Sequence, residues 1–279
     1  MKCFREKRLT VLAGSRFIDI AYKDWGDENN SNVAICVHGL SRNMNDFDDL
    51  AVNLSKTWRV IAVDMPGRGQ SDWLDNKLAY TYELYEVVCA HVIALAKVEK
   101  VVWIGTSMGG VLGMRLAANG APFAKLVLND IGPFIPAEGR KHNQANFGGD
   151  PIFKTESEAI AYIKQTRSTF GPFTEAGWLK FGRDSLRQLN DGSWTLHYDP
   201  GLASKAPITD SDMWELWPKV RVPVLTIWGE DSRLLTAPTV DRMAHSGPKT
   251  EVFSLPGVGH CPGLTSLPEI SAIANFIER

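Results

Sequence analysis

Residues 101–110, VVWIGTSMGG, hold a serine in the pattern Gly-x-Ser-x-Gly, formed by Gly105, Ser107 and Gly109. The apolar run before the serine predicts a buried strand, and the stretch that begins at Met108, MGGVLGMRLAANG, predicts a helix. A sharp turn between strand and helix exposes the serine hydroxyl above the sheet, and the flanking glycines leave room for the tight backbone. The helix N-terminus adds positive potential where an oxyanion would form. The pattern therefore predicts Ser107 as a nucleophile.

Similar apolar runs recur along the chain and alternate with helical patterns. They are NVAICVHG (32–39), RVIAVDMPG (59–67), KVVWIGTS (100–107), KLVLNDIG (125–132) and VPVLTIWG (222–229). Short runs rich in Val, Ile and Leu, separated by helices, are typical of a parallel sheet that is covered on both faces. Near the N-terminus, two further runs predict an antiparallel hairpin that turns at Gly14-Ser15.

The alternation breaks from about Gly132 to Pro218 and then resumes. We therefore predict a core of residues 1–132 and 219–279, and a mainly helical insertion of residues 133–218 that forms a cap over the sheet edge where ligands bind in such folds. The insertion is rich in large aromatic side chains, which indicate a hydrophobic ligand. These are Phe134, Phe147, Phe153, Phe170, Phe173, Trp178, Phe181 and Trp194.

A candidate general base and a candidate pair of oxyanion donors follow from position. Among six histidines, His260 alone lies in a glycine-rich loop after a late strand, in LPGVGHCPG (255–263). A flexible loop at that edge lets an imidazole reach the serine hydroxyl. The turn CVHGL (36–40) offers the backbone N–H of Leu40, which with the N–H of Met108 would form an oxyanion hole. His38, in the same turn, either braces this loop or contacts the reacting groups.

Four segments together resemble the α/β-hydrolase superfamily in its cap-bearing serine esterase branch: VHGL, DMPGRGQSD (64–72), GTSMGG and VGHCP. The resemblance spans roughly residues 9 to 279 and is weakest in the insertion. It implies an α/β fold with a mostly parallel eight-stranded sheet, helices on both faces and a helical cap. It also implies a catalytic triad in the chain order serine, acid, histidine.

Two aspartates are candidates for the acid of that triad. Members of the family usually carry it about three residues after the glycine that ends the strand VPVLTIWG, and that position here is Ser232. Asp231 precedes Ser232 and is the acid that we expect, with Glu230 as a solvated turn residue. Asp130, in LNDIGP after the strand that follows the nucleophile helix, is the alternative, because some members take their acid from there.

The expected activity is that of a serine hydrolase of the carboxylesterase type, which cleaves small to medium hydrophobic esters through an acyl-enzyme. Alternatives are a lactonase, a C–C bond hydrolase of dienone ring-fission products, and a ligand-binding, receptor-like protein without catalysis. Three arginines, Arg115, Arg183 and Arg187, are candidates for meeting a substrate carboxylate, although helical arginines are more often surface charges. The mechanism requires no metal and no organic cofactor.

Composition narrows the expected partners and location. The formal net charge of the 279-residue chain is −2, which favours neither nucleic acid nor an anionic membrane as a partner. The four cysteines show no C-x-x-C spacing, and neither a signal peptide nor a run of transmembrane length is visible. We therefore expect a cytoplasmic monomer or homodimer with a small-molecule substrate.

Overall fold

A computed structural model describes residues 4–145, 149–202 and 208–279. The strands are β1 (Phe4–Ala13), β2 (Arg16–Trp25), β3 (Val33–Val37), β4 (Arg59–Val63), β5 (Val101–Thr106), β6 (Phe123–Asn129), β7 (Phe134–Ile135), β8 (Leu186–Gln188), β9 (Trp194–Leu196), β10 (Ser211–Asp212), β11 (Val224–Gly229) and β12 (Thr250–Leu255). The helices are α1 (Asp48–Leu54), α2 (Tyr82–Ala96), α3 (Met108–Ala118), α4 (Ala137–Ala145), α5 (Glu156–Thr166), α6 (Glu175–Asp184), α7 (Ala237–Ala244) and α8 (Leu267–Glu278).

Eight of these strands form one sheet in the order β1-β2-β4-β3-β5-β6-β11-β12. The strands β1 and β2 form the predicted antiparallel hairpin, and β2 is also antiparallel to β4. From β4 onwards every neighbouring pair is parallel. The predicted fold, a mostly parallel eight-stranded sheet with helices, is confirmed.

Both faces of the sheet are covered by helices because alternate strand residues are apolar on each side. On β3, Val33, Ile35 and Val37 pack into a core with α2, α3 and α7. The residues between them, Ala34 and Cys36, pack into a second core with α1 and α8. Burial on two faces explains why the strands are continuously apolar rather than alternating.

Residues 133–218 lie between β6 and β11, and their described part contains the α-helices α4 to α6. Two short antiparallel strand pairs accompany them, β7 with β10 and β8 with β9. The insertion has its own apolar cluster, built around Ile163, Phe181, Leu186 and Leu196. The boundaries proposed for a separate cap stay a prediction. Within the described ranges, no helix has the length and apolar character needed to cross a membrane.

A buried histidine ties the insertion to the core. His197 is 4% exposed, and its Nδ1 accepts a hydrogen bond from the N–H of Gly69 at 3.1 Å. Burial, together with the positive charge of Arg42, lowers the pKa of His197 to about 3. The imidazole therefore stays neutral in the folded protein, whereas in the unfolded chain the same imidazole has the ordinary histidine pKa of about 6.5.

Because the unfolded state binds a proton at His197 that the folded state does not, this residue lowers the free energy of unfolding as the pH falls below about 6.5. We expect the wild type to lose about 1.4 kcal/mol of unfolding free energy through this group between about pH 7.5 and about pH 5.5. His197→Asn keeps an acceptor for Gly69 and should be spared that part of the loss. Urea unfolding at the two pH values measures it. An equal pH dependence in variant and wild type would show that His197 is not the group responsible.

Candidate active site

The backbone around Ser107 forms a sharp turn between β5 and α3. Ser107 has φ 49° and ψ −111°, a strained conformation for a residue with a side chain. A Cβ on Gly105 would lie 2.3 Å from the carbonyl oxygen of Gly109, and a Cβ on Gly109 would lie 2.0 Å from that of Val37. Both glycines are therefore required by close backbone contacts, which hold the serine above the sheet edge.

His260 links the serine to a carboxylate. Its Nε2 is 3.1 Å from Oγ of Ser107, and its Nδ1 is 2.6 Å from Oδ2 of Asp130. Asp130 is fully buried and His260 is 7% exposed. Because an ionised carboxylate only accepts hydrogen bonds, the proton lies on Nδ1, and Nε2 is free to accept the serine hydroxyl proton. This is the tautomer that a general base requires.

Asp130 is held by donors from the neighbouring strand and loop. Its Oδ1 accepts from the N–H of Gly229 at 3.0 Å, and its Oδ2 accepts from Oγ of Ser232 at 2.6 Å. Its own N–H donates to the carbonyl of Ile227 at 2.8 Å. The backbone has φ 54°, a left-handed conformation that Asp tolerates better than most residues. Both carboxylate oxygens are therefore held by donors other than His260.

The carboxylate that lies beside His260 belongs to Asp130, the alternative acid, and not to Asp231, the acid that we expected. The N–H of Ser232 donates to the carbonyl of Gly229 at 2.9 Å and closes a tight turn after β11. That turn buries Ser232 and leaves Asp231 and Glu230 exposed. Ser232, at the position where the resemblance places the acid, thus donates a hydrogen bond to Asp130.

The residues predicted as oxyanion donors lie beside the serine. A Cβ on Gly39 would be 3.6 Å from Cβ of Ser107, so the turn that carries Leu40 contacts the nucleophile directly. Met108 is the first residue of α3, where N–H groups have no acceptor within the helix. Leu40 and Met108 line the same cavity of about 300 Å³ as Ser107 and His260. Their role as donors stays a prediction.

Two buried side chains brace this turn. His38 is fully buried, and its Nε2 accepts from the N–H of Met65 at 3.0 Å, so its Nδ1 donates to the carbonyl of Gly39 at 2.7 Å. Burial lowers the pKa of His38 well below its ordinary value and keeps the ring neutral. Arg68 is also fully buried; it donates to the carbonyl of Leu40 at 2.9 Å and contacts Sδ of Met108 at 3.4 Å. His38 therefore braces the turn. Arg68 braces it as well, a role that the sequence did not indicate.

The cavity above the serine is lined by apolar and aromatic side chains together with three arginines, Arg42, Arg140 and Arg167. None of the three was singled out from the sequence. The arginines that were singled out lie elsewhere and do not line the cavity. Arg115 pairs with Glu86, Arg183 pairs with Glu156, and Arg187 lies 4.9 Å over the ring of Trp73.

Of the insertion's aromatic residues, Phe170 lines this cavity and packs edge-on against His260, with 6.2 Å between ring centroids. Most of the others belong to the insertion's own cluster, and Phe147 lies outside the described residues. Cys261, beside the histidine, is buried, and burial raises the pKa of its thiol well above the ordinary value. The thiol is therefore protonated and is not a competing nucleophile.

Exchanging each aspartate for asparagine discriminates between the two acids. We expect Asp130→Asn to lower kcat by about 10⁴-fold, because the amide favours the wrong imidazole tautomer. Asp231→Asn is the matched control on an exposed carboxylate and should stay within about twofold of wild type. Both are measured by ester turnover on folded protein. A near-normal Asp130→Asn, or a comparable loss in Asp231→Asn, would contradict the geometry.

Comparisons with known proteins agree with this fold. A model described as the alpha/beta hydrolase family matches residues 34–270. A 3-hydroxybutyrate-oligomer hydrolase from Cupriavidus necator is 36% identical over 269 residues, which cover 92% of each chain. A 2-(acetamidomethylene)succinate hydrolase from Mesorhizobium japonicum is 28% identical over 246 residues, 86% of each chain.

Among solved structures, an alpha/beta hydrolase from Novosphingobium aromaticivorans superposes with a TM-score of 0.88 at 30% identity, over 100% of this chain and 99% of the other. The family match extends from β3 into α8 and so includes the turn of Ser107, the loop of Asp130 and the loop of His260. The chain belongs to the alpha/beta hydrolase family.

Proposed function

We propose that the chain is a serine hydrolase of the carboxylesterase type that works through an acyl-enzyme. The observation that carries the proposal is the continuous hydrogen-bond chain from Asp130 through His260 to Ser107, in a cavity that the serine itself lines. A nucleophile, a base and an orienting acid in this arrangement are what acyl transfer requires.

In the proposed reaction, Nε2 of His260 takes the hydroxyl proton of Ser107 as the oxygen attacks the ester carbonyl. Asp130 stabilises the imidazolium that forms and remains ionised itself. The imidazolium then gives its proton to the leaving alcohol oxygen, and the Ser107 acyl ester remains. Water, deprotonated by the same His260, attacks this ester; the acyl–oxygen bond then breaks, His260 returns the proton to Oγ of Ser107, and the carboxylic acid is released.

The oxyanion of each tetrahedral intermediate would accept hydrogen bonds from the N–H groups of Leu40 and Met108. A preorganised donor of this kind contributes about 3–4 kcal/mol to lowering the barrier. Arg68 holds the two donor residues in place, because its fully buried guanidinium contacts both the carbonyl of Leu40 and Sδ of Met108. A fixed positive charge close to a developing negative charge in a dry environment favours the transition state.

The substrate that we propose is a small ester of a short hydroxy acid. The support is the 36% identical relative, which is named as a hydrolase of 3-hydroxybutyrate oligomers. Such oligomers are linear esters in which each alcohol belongs to the next hydroxy acid. A cavity of about 300 Å³ lined by Val111, Ile131, Leu202 and Phe170 accommodates ester units with small alkyl branches.

Replacement of the nucleophile tests the proposal. We expect Ser107→Ala to lower turnover of 4-nitrophenyl acetate, 4-nitrophenyl butyrate and the 3-hydroxybutyrate dimer by about 10⁵- to 10⁶-fold, because no acyl-enzyme can form. A fluorophosphonate should add to Ser107 of the wild type, as read by mass spectrometry, and not to the variant. Ser31→Ala, at an exposed serine, is the control.

The proposal fails if the wild type turns over none of these esters, which would favour a ligand-binding protein. It also fails if Ser107→Ala retains substantial turnover, because the reaction would then not pass through the serine.

A further inference from the structure

The walls of the cavity beside Ser107 carry positively charged side chains. Among the described residues that line it are Arg42, Arg140 and Arg167, and none of the described lining residues is an aspartate or a glutamate. A cavity for purely hydrophobic esters has no use for several guanidinium groups, since an unneeded buried charge costs stability. Several arginines on a cavity wall that holds no aspartate or glutamate of its own are typical of a site for an anion.

Arg42 flanks the nucleophile from the core side. Its N–H donates to the carbonyl of Gly39, whose turn contacts Ser107, and its side chain is 3% exposed. The guanidinium lies 3.6 Å over the ring of Phe181 and pairs with Asp46, which is not a lining residue of this cavity. Arg42 is thus held rigidly at the wall beside the serine.

Arg167 flanks the base from the insertion side. It ends α5, is 6% exposed, and begins a segment that docks on the loop of His260. In that segment Oγ1 of Thr169 donates to the carbonyl of His260 at 3.1 Å, and the N–H of Gly171 donates to that of Cys261 at 3.3 Å. Burial lowers the pKa of Arg167, Tyr198 raises it, and the positive charge of Arg42 lowers it. Both arginines line the same cavity, where a bound anion would stabilise their positive charges.

We infer that Arg167, with Arg42 beside it, binds a carboxylate carried by the alcohol portion of the ester. We place it on the alcohol side because the leaving oxygen must lie within reach of His260 to take its proton, and the segment that follows Arg167 is held against the His260 loop by Thr169. The substrate class is therefore an ester whose alcohol is a hydroxy acid with a free carboxylate a few bonds from the scissile ester. This inference rests on the proposed ester hydrolysis and adds a specificity-determining pair to it.

A pair of substrates that differ only in charge tests the inference. They are the linear dimer of 3-hydroxybutyrate, which ends in a free carboxylate, and its methyl ester; chromatography follows cleavage of the internal ester. We expect the wild type to prefer the free acid by about tenfold or more in kcat/KM, because charge-assisted hydrogen bonds are stronger than neutral ones. Arg167→Met should lower kcat/KM for the acid by about 10- to 100-fold, mainly through KM.

The same variant should lower kcat/KM for the methyl ester and for 4-nitrophenyl butyrate much less than for the acid, and this difference separates lost recognition from general damage to the site. Arg183→Met removes an exposed arginine of the insertion that does not line the cavity, and should change neither substrate. Arg167→Lys keeps the charge and should recover part of the preference for the acid. Equal losses on charged and neutral esters in Arg167→Met, or no preference in the wild type, would overturn the inference.

Binding separates failure of this inference from failure of the proposed function. Calorimetry on Ser107→Ala, which leaves the cavity walls intact, gives affinities for the dimer and its methyl ester without turnover. We expect the acid to bind about tenfold or more tightly, and Ser107→Ala combined with Arg167→Met to lose that difference. Equal affinities would overturn the inference even if the esters are hydrolysed. A carboxylate preference in binding without any ester hydrolysis would uphold the site and reject the proposed function.

Discussion

The arrangement of the site depends on one buried carboxylate. Asp130 is fully buried, and an ionised group in that position is tolerated only if its oxygens are hydrogen-bonded. Its three partners come from two places along the chain: the backbone of Gly229 and the hydroxyl of Ser232 at the end of β11, and the imidazole of His260 after β12. Because these donors belong to different loops, the carboxylate fixes the end of β11 and the loop after β12 relative to the turn of Ser107.

The order of strands explains why this interaction forms. β5, β6 and β11 are neighbours in the sheet, and Asn129 at the end of β6 is in register with Thr106 on one side and Ile227 on the other. The next residue after Asn129 is Asp130, so its side chain leaves the sheet between Ser107 and the β11 loop. The histidine loop follows β12 and closes over the same edge. A parallel sheet thus collects side chains far apart in sequence along one line.

The fold, the nucleophile turn and the loop of His260 were accessible from the sequence because each depends on local signals. A Gly-x-Ser-x-Gly between an apolar strand and a helix specifies its own geometry. The acid was not accessible in the same way, since Asp231 and Asp130 both follow apolar strands. The difference arises from the tight turn after Gly229, which exposes Asp231, and from the hydroxyl of Ser232, which holds Asp130. The arginines of the cavity wall were missed because Arg42 and Arg167, far apart in sequence, come to line one cavity only in the folded chain.

The hydrogen bond from His260 to Asp130 is observable directly. A proton shared between an imidazole nitrogen and a buried carboxylate gives a strongly downfield, slowly exchanging resonance in the proton NMR spectrum. Our account predicts this resonance for the wild type and for Asp231→Asn, and its loss or large upfield shift in folded Asp130→Asn. Persistence of the resonance in Asp130→Asn, or its loss in Asp231→Asn, would contradict the assignment of Asp130 as the partner of His260.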